Sequence, residues 1–361
     1  MKRVLIIADI TAQIKKFHTP YLKMLKKGGY EVHVASYGKE KIQYCDKHFN
    51  VPRTIKPFSV ENLKAYKQIK KIIKENNYEF IHCHTLTGGI LGRLAGKNMK
   101  NTKVIYTAYG FRFYKGAPIK NWLIYYPIEK YLSKYTDTLI TINKEDYDFA
   151  KEKFENTNIK LVNGVGVKTN KLETKISKEQ KLKILQEFGL NENDYVFLSV
   201  GGLNNIKNQI MQIDAIRRLM YRQKNAKLLI AGEGSLREYY SNVIEKYGLS
   251  ENIKLIGYRK DIPNLLKTVD AVISTSKMEG LPVNIIEAMV ACKPIIATSI
   301  RGHRDLLKPN NLVKNTAQLT IKMKEYINFN KQKEIYEIQK YKIENVIESM
   351  KLIYSEVTIH G

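Results

Sequence analysis

Short β-branched runs recur along this chain, each followed by a longer amphipathic stretch. The first series is RVLIIA (3–8), EVHVAS (31–36), EFIHCH (79–84), KVIYTA (103–108), TLITIN (138–143) and IKLVNG (159–164). A second follows at YVFLSVGG (195–202), AKLLIAGEG (226–234), NIKLIGY (252–258), DAVISTS (270–276) and KPIIATS (293–299). Apolar runs of strand length alternating with helix-period segments are the signature of a parallel sheet covered on both faces. Two such series predict an α/β chain with two Rossmann-like halves, and 361 residues are too many for one ordinary core. The seam is expected at 164–178, where the chain is rich in Gly and Lys and loses its period. The predicted domains are 1–165 and 166–335, with 336–361 a C-terminal helix that packs back on the first domain.

In open parallel sheets ligands sit outside the carboxyl ends of the strands, and two sheets facing across a cleft would share such a site. One segment there, TSKMEGLPVNIIEAM (275–289), carries Glu279 and Glu287 on either side of a Gly-Leu-Pro break. Pro282 is expected at or near the first turn of a helix, which puts Glu279 on the preceding loop and Glu287 on the second turn. The helix start at Gly280, Leu281 and Pro282 favours an anion such as a diphosphate. Two ionised carboxylates would repel that diphosphate, so their natural partners are neutral hydroxyl pairs. A nucleoside diphosphate sugar has a diol at each end. The residues alone leave open which glutamate takes the ribose and which the sugar.

Charge and cysteine content narrow the surroundings. The chain has 61 Lys+Arg against 35 Asp+Glu, a net charge of +26, which favours an anionic partner. The excess is larger in the first half: residues 1–160 hold 30 basic and 14 acidic side chains, net +16, against 31 and 21, net +10, in the remainder. No nucleic-acid-reading motif accompanies the charge, so no nucleic-acid partner is expected. Cys45, Cys83 and Cys292 lack disulfide or metal-ligand spacing, which fits a reducing cytoplasm. The apolar run of MKRVLIIAD is too short for a signal core, and no stretch reaches the ~18 apolar residues of a spanning helix. Any membrane contact is therefore expected to be peripheral. A dinucleotide oxidoreductase would need a glycine fingerprint after the first strand, and ADITAQIKK contains no glycine.

EGLPVNIIEAM (279–289) resembles the Glu-x7-Glu signature of glycosyltransferase family 4, retaining enzymes of the GT-B fold. The resemblance extends through KPIIATSIRGHRDLL and, in the first half, through FHTPYL, IHCHTLTGGILGRLA and the segment from GFRFYKGAPIKNW to KEKF. It covers most of residues 1–310 and looks closest to bacterial capsule, exopolysaccharide and protein-glycan enzymes that extend a sugar on polyprenyl diphosphate. By this resemblance Glu279 faces the donor sugar and Glu287 the ribose. SVGGLNNIKNQ (199–209) matches the family's glycine turn, Gly201 and Gly202, and its phosphate-binding lysine, here Lys207. Many relatives carry Arg or Glu in place of Gly202. GYRKDI (257–262) occupies the base-recognition region, where the backbone of Tyr258 and Arg259 would meet the nucleobase. AGEG (231–234) is a glycine turn after a strand, either simply a tight turn or a place where backbone approaches a ligand.

The family also carries a histidine facing the reacting sugar in a TAHGFHF-like segment. This chain reads TAYGFRF, with Tyr109 and Arg112 at the two histidine positions. Three readings stand side by side. Tyr109 can replace the histidine as a hydrogen-bond donor, because in a retaining front-face displacement the departing diphosphate oxygen itself assists deprotonation of the acceptor. The change can instead mark a catalytically silent paralogue. Or His84, at the end of the third strand, supplies the imidazole, with His18 of FHTPYL beside the acceptor. Trp122, Tyr125, Tyr126 and Ile128 form a stripe that suits either core packing or, with Lys115, Lys120, Lys130 and Lys134, a lipid headgroup zone.

The resulting expectation is a GT-B glycosyltransferase that moves a hexose or N-acetylhexosamine from a UDP-sugar to a polyprenyl diphosphate-linked saccharide, with retention. Its catalytic residues would be Glu279, Tyr109 and His84. Lys207, Gly201, Gly202, Gly280, Leu281, Glu287, Tyr258 and Arg259 would bind the donor, and His18 and Arg112 the acceptor. No DxD-like acidic pair stands at a strand end, so no metal or other cofactor is expected. The enzyme would be cytoplasmic, peripheral on the inner face of the membrane. The alternative is a silent partner protein in glycan assembly.

Overall fold

The computed structural model describes residues 1–52, 59–155 and 158–359. The chain divides into two compact units, one formed by Met1–Gly166 with Ile343–Gly361, the other by Val167–Lys342. In the first, seven strands form a sheet: β1 (Arg3–Ile10), β2 (Glu31–Tyr37), β3 (Lys47–Asn50), β4 (Phe80–His84), β5 (Lys103–Ala108), β6 (Thr138–Thr141) and β7 (Asn158–Leu161). Their order is β3-β2-β1-β4-β5-β6-β7, and every neighbouring pair is parallel. Alternation along the strands builds a core on each face. Leu5, Ile7, Ile81, Val104 and Tyr106 point to one, and Val4, Ile6, Phe80 and Ile105 to the other. The terminal helix Ile343–Ile359 covers the second of these cores with Val346, Met350, Ile353 and Tyr354, and the Tyr354 ring stacks on Phe80 at 4.9 Å.

The second unit repeats the winding with six strands: β8 (Tyr195–Val200), β9 (Ala226–Ala231), β10 (Ile253–Gly257), β11 (Ala271–Ser274), β12 (Ile295–Thr298) and β13 (Leu312–Val313). The order is β10-β9-β8-β11-β12-β13, again parallel throughout. In both sheets the connections run one way from the first strand and then jump to its other side. That reversal leaves a crevice at the carboxyl ends, between β1 and β4 in one unit and between β8 and β11 in the other. These two switch points decide where functional side chains can converge.

Two local readings of the sequence become specific. Pro282 is the cap residue of helix Val283–Val290, with extended backbone, directly before its first turn. In helix Ile119–Ser133, Trp122, Tyr125 and Tyr126 pack against the first unit's core, together with Phe113 and Phe149. The aromatic stripe thus faces protein. At 100° per residue, the outward side is carried by the intervening positions.

Candidate functional site

In the second unit, the loops after β8 and β11 bring Lys207 to Glu279. The Lys207 ammonium lies 2.5 Å from Glu279 Oε1, and Ser276 Oγ donates to the same oxygen at 2.7 Å. Both partners are largely shielded, with 25% of the lysine side chain and 14% of the glutamate side chain exposed, so the pair feels less solvent screening than a surface ion pair. The lysine stem lies along the glycine turn: a Cβ added to Gly201 would come 3.3 Å from Lys207 Cδ and Cε. Its loop is fixed by Asn204, whose Oδ1 accepts from the N–H groups of Ile206 and Lys207, both at 3.0 Å. Asn208 then turns with φ of +56° and donates from Nδ2 to the Thr275 carbonyl at 3.3 Å.

The Glu279 loop is tied down from β12. Arg301 Nε donates to the Glu279 carbonyl at 3.4 Å, and Gly302 has φ of +82° where a Cβ would meet the Gly280 oxygen at 2.6 Å. Only glycine fits that contact without moving the loop. His303 is buried beneath. Its Nδ1 is 2.8 Å from the Thr298 carbonyl, which can only accept, so Nδ1 carries the proton and Nε2 accepts from Ser274 Oγ at 3.1 Å. Burial lowers this imidazole to about 4 and keeps it neutral. Asn284, on the first turn of Val283–Val290, donates to the Val200 carbonyl at 2.8 Å and so pins the helix start to the end of β8. The first N–H groups of that helix have no acceptor within it. Half-buried Glu287 follows on the second turn. A lysine, a helix start and the Glu279 carboxylate are thus gathered around the switch point, with Glu287 a turn further along the same helix.

Other predicted residues fall differently. Gly232 and Gly234 approach their own protein: a Cβ on Gly232 would sit 2.0 Å from the Gly201 carbonyl oxygen, and one on Gly234 2.3 Å from that of Leu203. These glycines let the turns after β8 and β9 touch, as a tight turn requires. A Cβ on Gly202 would stand 3.2 Å from Asn204 Nδ2. Tyr258 and Arg259 follow β10, the sheet's edge strand, two strands from β8. Tyr258 is exposed, and the Arg259 guanidinium is engaged by Glu187 at 2.6 Å and Asp261 at 2.7 Å. Asn284, Gly302 and His303 were not singled out from sequence, although all three lie in segments that carry the family resemblance.

In the first unit, the loops after β1, β4 and β5 converge. The Tyr109 hydroxyl is 3.0 Å from His84 Nδ1 and 3.4 Å from His18 Nε2, and the His18 and His84 rings stack at 4.2 Å. His82, two residues earlier on β4, extends the row. Its ring lies 4.0 Å from His84, and its nitrogens bond the Tyr354 hydroxyl at 2.7 Å and Thr107 Oγ1 at 2.8 Å. Burial lowers His18 to about 3 and holds His82 and His84 well below the usual range, so all three are neutral. Burial likewise raises the Tyr109 hydroxyl, which keeps its proton. Thr85, directly after His84, has φ of +68°, a costly conformation for a β-branched residue, at the foot of helix Leu86–Gly96. Asp9 at the end of β1 accepts from the Gly88 N–H of that helix at 2.6 Å. Arg112 is not part of this group: its side chain is exposed between buried Phe111 and Phe113.

Two parallel sheets, each wound outward from its first strand and back to the other side, with a lysine–glutamate pair at the second switch point, have the GT-B architecture. The chain belongs to glycosyltransferase family 4. Residues 180–347 match the family described as glycosyl transferases group 1, and residues 3–143 the glycosyl transferase 4-like family. The chain is 41% identical over 310 residues to the putative glycosyltransferase EpsD of Bacillus subtilis (strain 168), covering 85% of this chain and 81% of the relative. It is 30% identical over 266 residues to the Escherichia coli UDP-Gal:alpha-D-GlcNAc-diphosphoundecaprenol alpha-1,3-galactosyltransferase, covering 72% and 68%. The crystal structure of Anabaena HepE in complex with UDP and glucose superposes with a TM-score of 0.77 at 17% identity, over 99% of this chain and 100% of that one.

Proposed function

We propose that this glycosyltransferase moves a hexose or N-acetylhexosamine from a UDP-sugar to a saccharide carried on polyprenyl diphosphate, with retention at the anomeric carbon, in the assembly of a bacterial capsule or exopolysaccharide. The observation that carries the donor half is the Lys207–Glu279 pair at the second switch point, beside the helix that bears Glu287. The acceptor half is supported by the name of the Escherichia coli relative.

In this reading Lys207 and the helix start hold the diphosphate, and Glu279, steadied through Oε1, accepts at Oε2 from a hydroxyl of the sugar. Glu287 binds the ribose diol. The bond from the anomeric carbon to the phosphate oxygen breaks, the acceptor oxygen bonds that carbon on the same face, and the acceptor's proton passes to the departing phosphate. Tyr109, protonated and oriented by His84 and His18, donates to a sugar hydroxyl, and Lys207 with the helix start replaces a metal at the diphosphate. Arg112, on the exposed loop, contacts the acceptor at longer range. The enzyme works peripherally on the cytoplasmic face of the membrane; among the described residues no helix is long and apolar enough to cross it.

The test is transfer from a panel of UDP-sugars to a short-chain polyprenyl diphosphate monosaccharide, with chelator present and the product's anomeric configuration read by NMR. An α-linked product from an α-donor meets the expectation. An inverted product overturns retention. A second reading, favoured by Tyr109 standing where the family has histidine, is a silent partner protein; donor binding without turnover from any UDP-sugar would establish it.

A further inference from the structure

Helix Ile119–Ser133 has two chemically opposed sides. Inward, its aromatics join the core and Glu129 pairs with buried Arg93 at 2.8 Å. Outward stand Ile119, Leu123, Ile124 and, toward the last turn, Tyr131, exposed to 77%, 72%, 41% and 46%. At 100° per residue these four fall within an arc of about 140°. Exposed Lys120 and Lys130 lie in the same arc, with Lys134 just beyond. No carboxylate shares this side, because the helix's one acidic residue is Glu129. Single exposed apolar side chains are ordinary, but four on one short helix face are a patch.

A second feature adjoins the helix's last turn. A depression of about 260 Å³ is lined by four lysines, Lys97, Lys100, Lys103 and Lys134, with Tyr135 and a single carboxylate, Asp137. Lys97 Nζ lies over the Tyr135 ring at 5.2 Å and bonds the Tyr131 hydroxyl at 3.4 Å, which joins the depression to the apolar face. Of the four lysines, only Lys103 has a carboxylate within ion-pair range among the described residues, Asp137 at 3.8 Å. Apolar side chains in a row, flanked by cations and ending at a depression where three of four lysines lack a carboxylate partner among the described residues, match the cross-section of an anionic bilayer: acyl chains beneath, phosphates at the rim.

We propose that this face docks the protein on an anionic phospholipid surface. Ile119, Leu123 and Ile124 enter the acyl boundary, while Lys97, Lys100 and Lys134 take headgroup phosphates. The docking stands on the surface itself; that it serves a lipid-linked acceptor rests on the proposed function.

The test is flotation of the full chain with phosphatidylglycerol-containing vesicles against pure phosphatidylcholine. Binding is expected only to the anionic vesicles. The Leu123→Glu/Ile124→Glu variant should lose about tenfold or more in partitioning. The Lys97→Gln/Lys100→Gln/Lys134→Gln variant should lose about fivefold per lysine, roughly a hundredfold together. Both should keep the wild-type melting temperature and transfer to a water-soluble acceptor analogue. Wild-type protein that ignores anionic vesicles, or variants that bind them as wild type does, would overturn the proposal. So would self-association that Leu123→Glu dissolves without any vesicle binding, since a second copy would then be the partner. Vesicle binding lost in the variants, in a protein that transfers no sugar, would uphold docking and refute the transferase reading.

Discussion

Replacing Lys207 by methionine tests the donor site most directly. Methionine keeps a flexible stem against the Gly201 turn and removes only the ammonium. A charge-assisted hydrogen bond contributes about 1.5–3 kcal/mol, so Lys207→Met should weaken UDP and UDP-sugar binding by about 10- to 150-fold. Uridine, which has no phosphate, should bind unchanged. Glu279→Gln gives the opposite pattern: it releases Lys207 and removes a negative charge near the diphosphate, so UDP should bind as well or better while the UDP-sugar loses its advantage over UDP. Glu287→Gln, at the proposed ribose contact, should weaken uridine, UDP and UDP-sugar alike. Isothermal titration calorimetry of the three variants against the three ligands reads the whole pattern. Equal losses for uridine and UDP in Lys207→Met, or an unchanged UDP affinity, would refute the assignment of the ammonium to the diphosphate.

Tyr109→Phe strips a hydroxyl from between two buried imidazole nitrogens and should cost about 1–3 kcal/mol in urea unfolding, with Tyr109→His recovering transfer activity lost in the phenylalanine variant. Glu129→Leu leaves the Arg93 guanidinium buried and unpaired, for about 3–5 kcal/mol, whereas Arg93→Met with Glu129→Leu should unfold within about 1 kcal/mol of wild type; equal losses in single and double variants would exclude the pair as the cause. Acid should destabilise the fold early. His303 and His18 titrate near 4 and near 3 in the folded chain but at about 6.5 when unfolded, so the unfolded state binds more protons between those values. Their stabilisation is present above pH 6.5 and is lost as pH falls, by about 2 kcal/mol for each histidine between pH 7 and 5. Urea midpoints over that range check it, and a His303→Asn protein should show a flatter slope.

The sheets were legible because strands buried on both faces read as unbroken apolar runs, and KVIYTA at 103–108 coincides with β5. The two strands with no such signal, β3 (KHFN) and β13 (LV), are short and lie at sheet edges, where one side needs no apolar cover. The aromatic stripe of Ile119–Ser133 was seen, but a single sequence does not say which side of an amphipathic helix meets protein when both sides are apolar. At the candidate site, Glu279 and Glu287 were visible because one local segment carries both. Their company was harder to read. Lys207 meets Glu279 across 72 positions, and His82 meets Tyr354 across 272, through pairings that only sheet order creates. His82 carried no signal of its own, being one more residue inside a buried strand.

The first unit is assembled from both ends of the chain, with all of the second threaded into it as an insertion between Gly166 and Ile343. On the ribosome, β1 and β4 therefore emerge long before the helix that shelters Val4, Ile6 and Phe80. The leading portion must wait, that apolar face only partly covered by Tyr21, Leu22 and Leu25, while the entire inserted portion is translated and free to mature first. Birth order and completion order are thus reversed. A nonsense mutation just ahead of Ile343, though it spares every candidate catalytic side chain, would leave the earliest-made half permanently unfinished and open to aggregation.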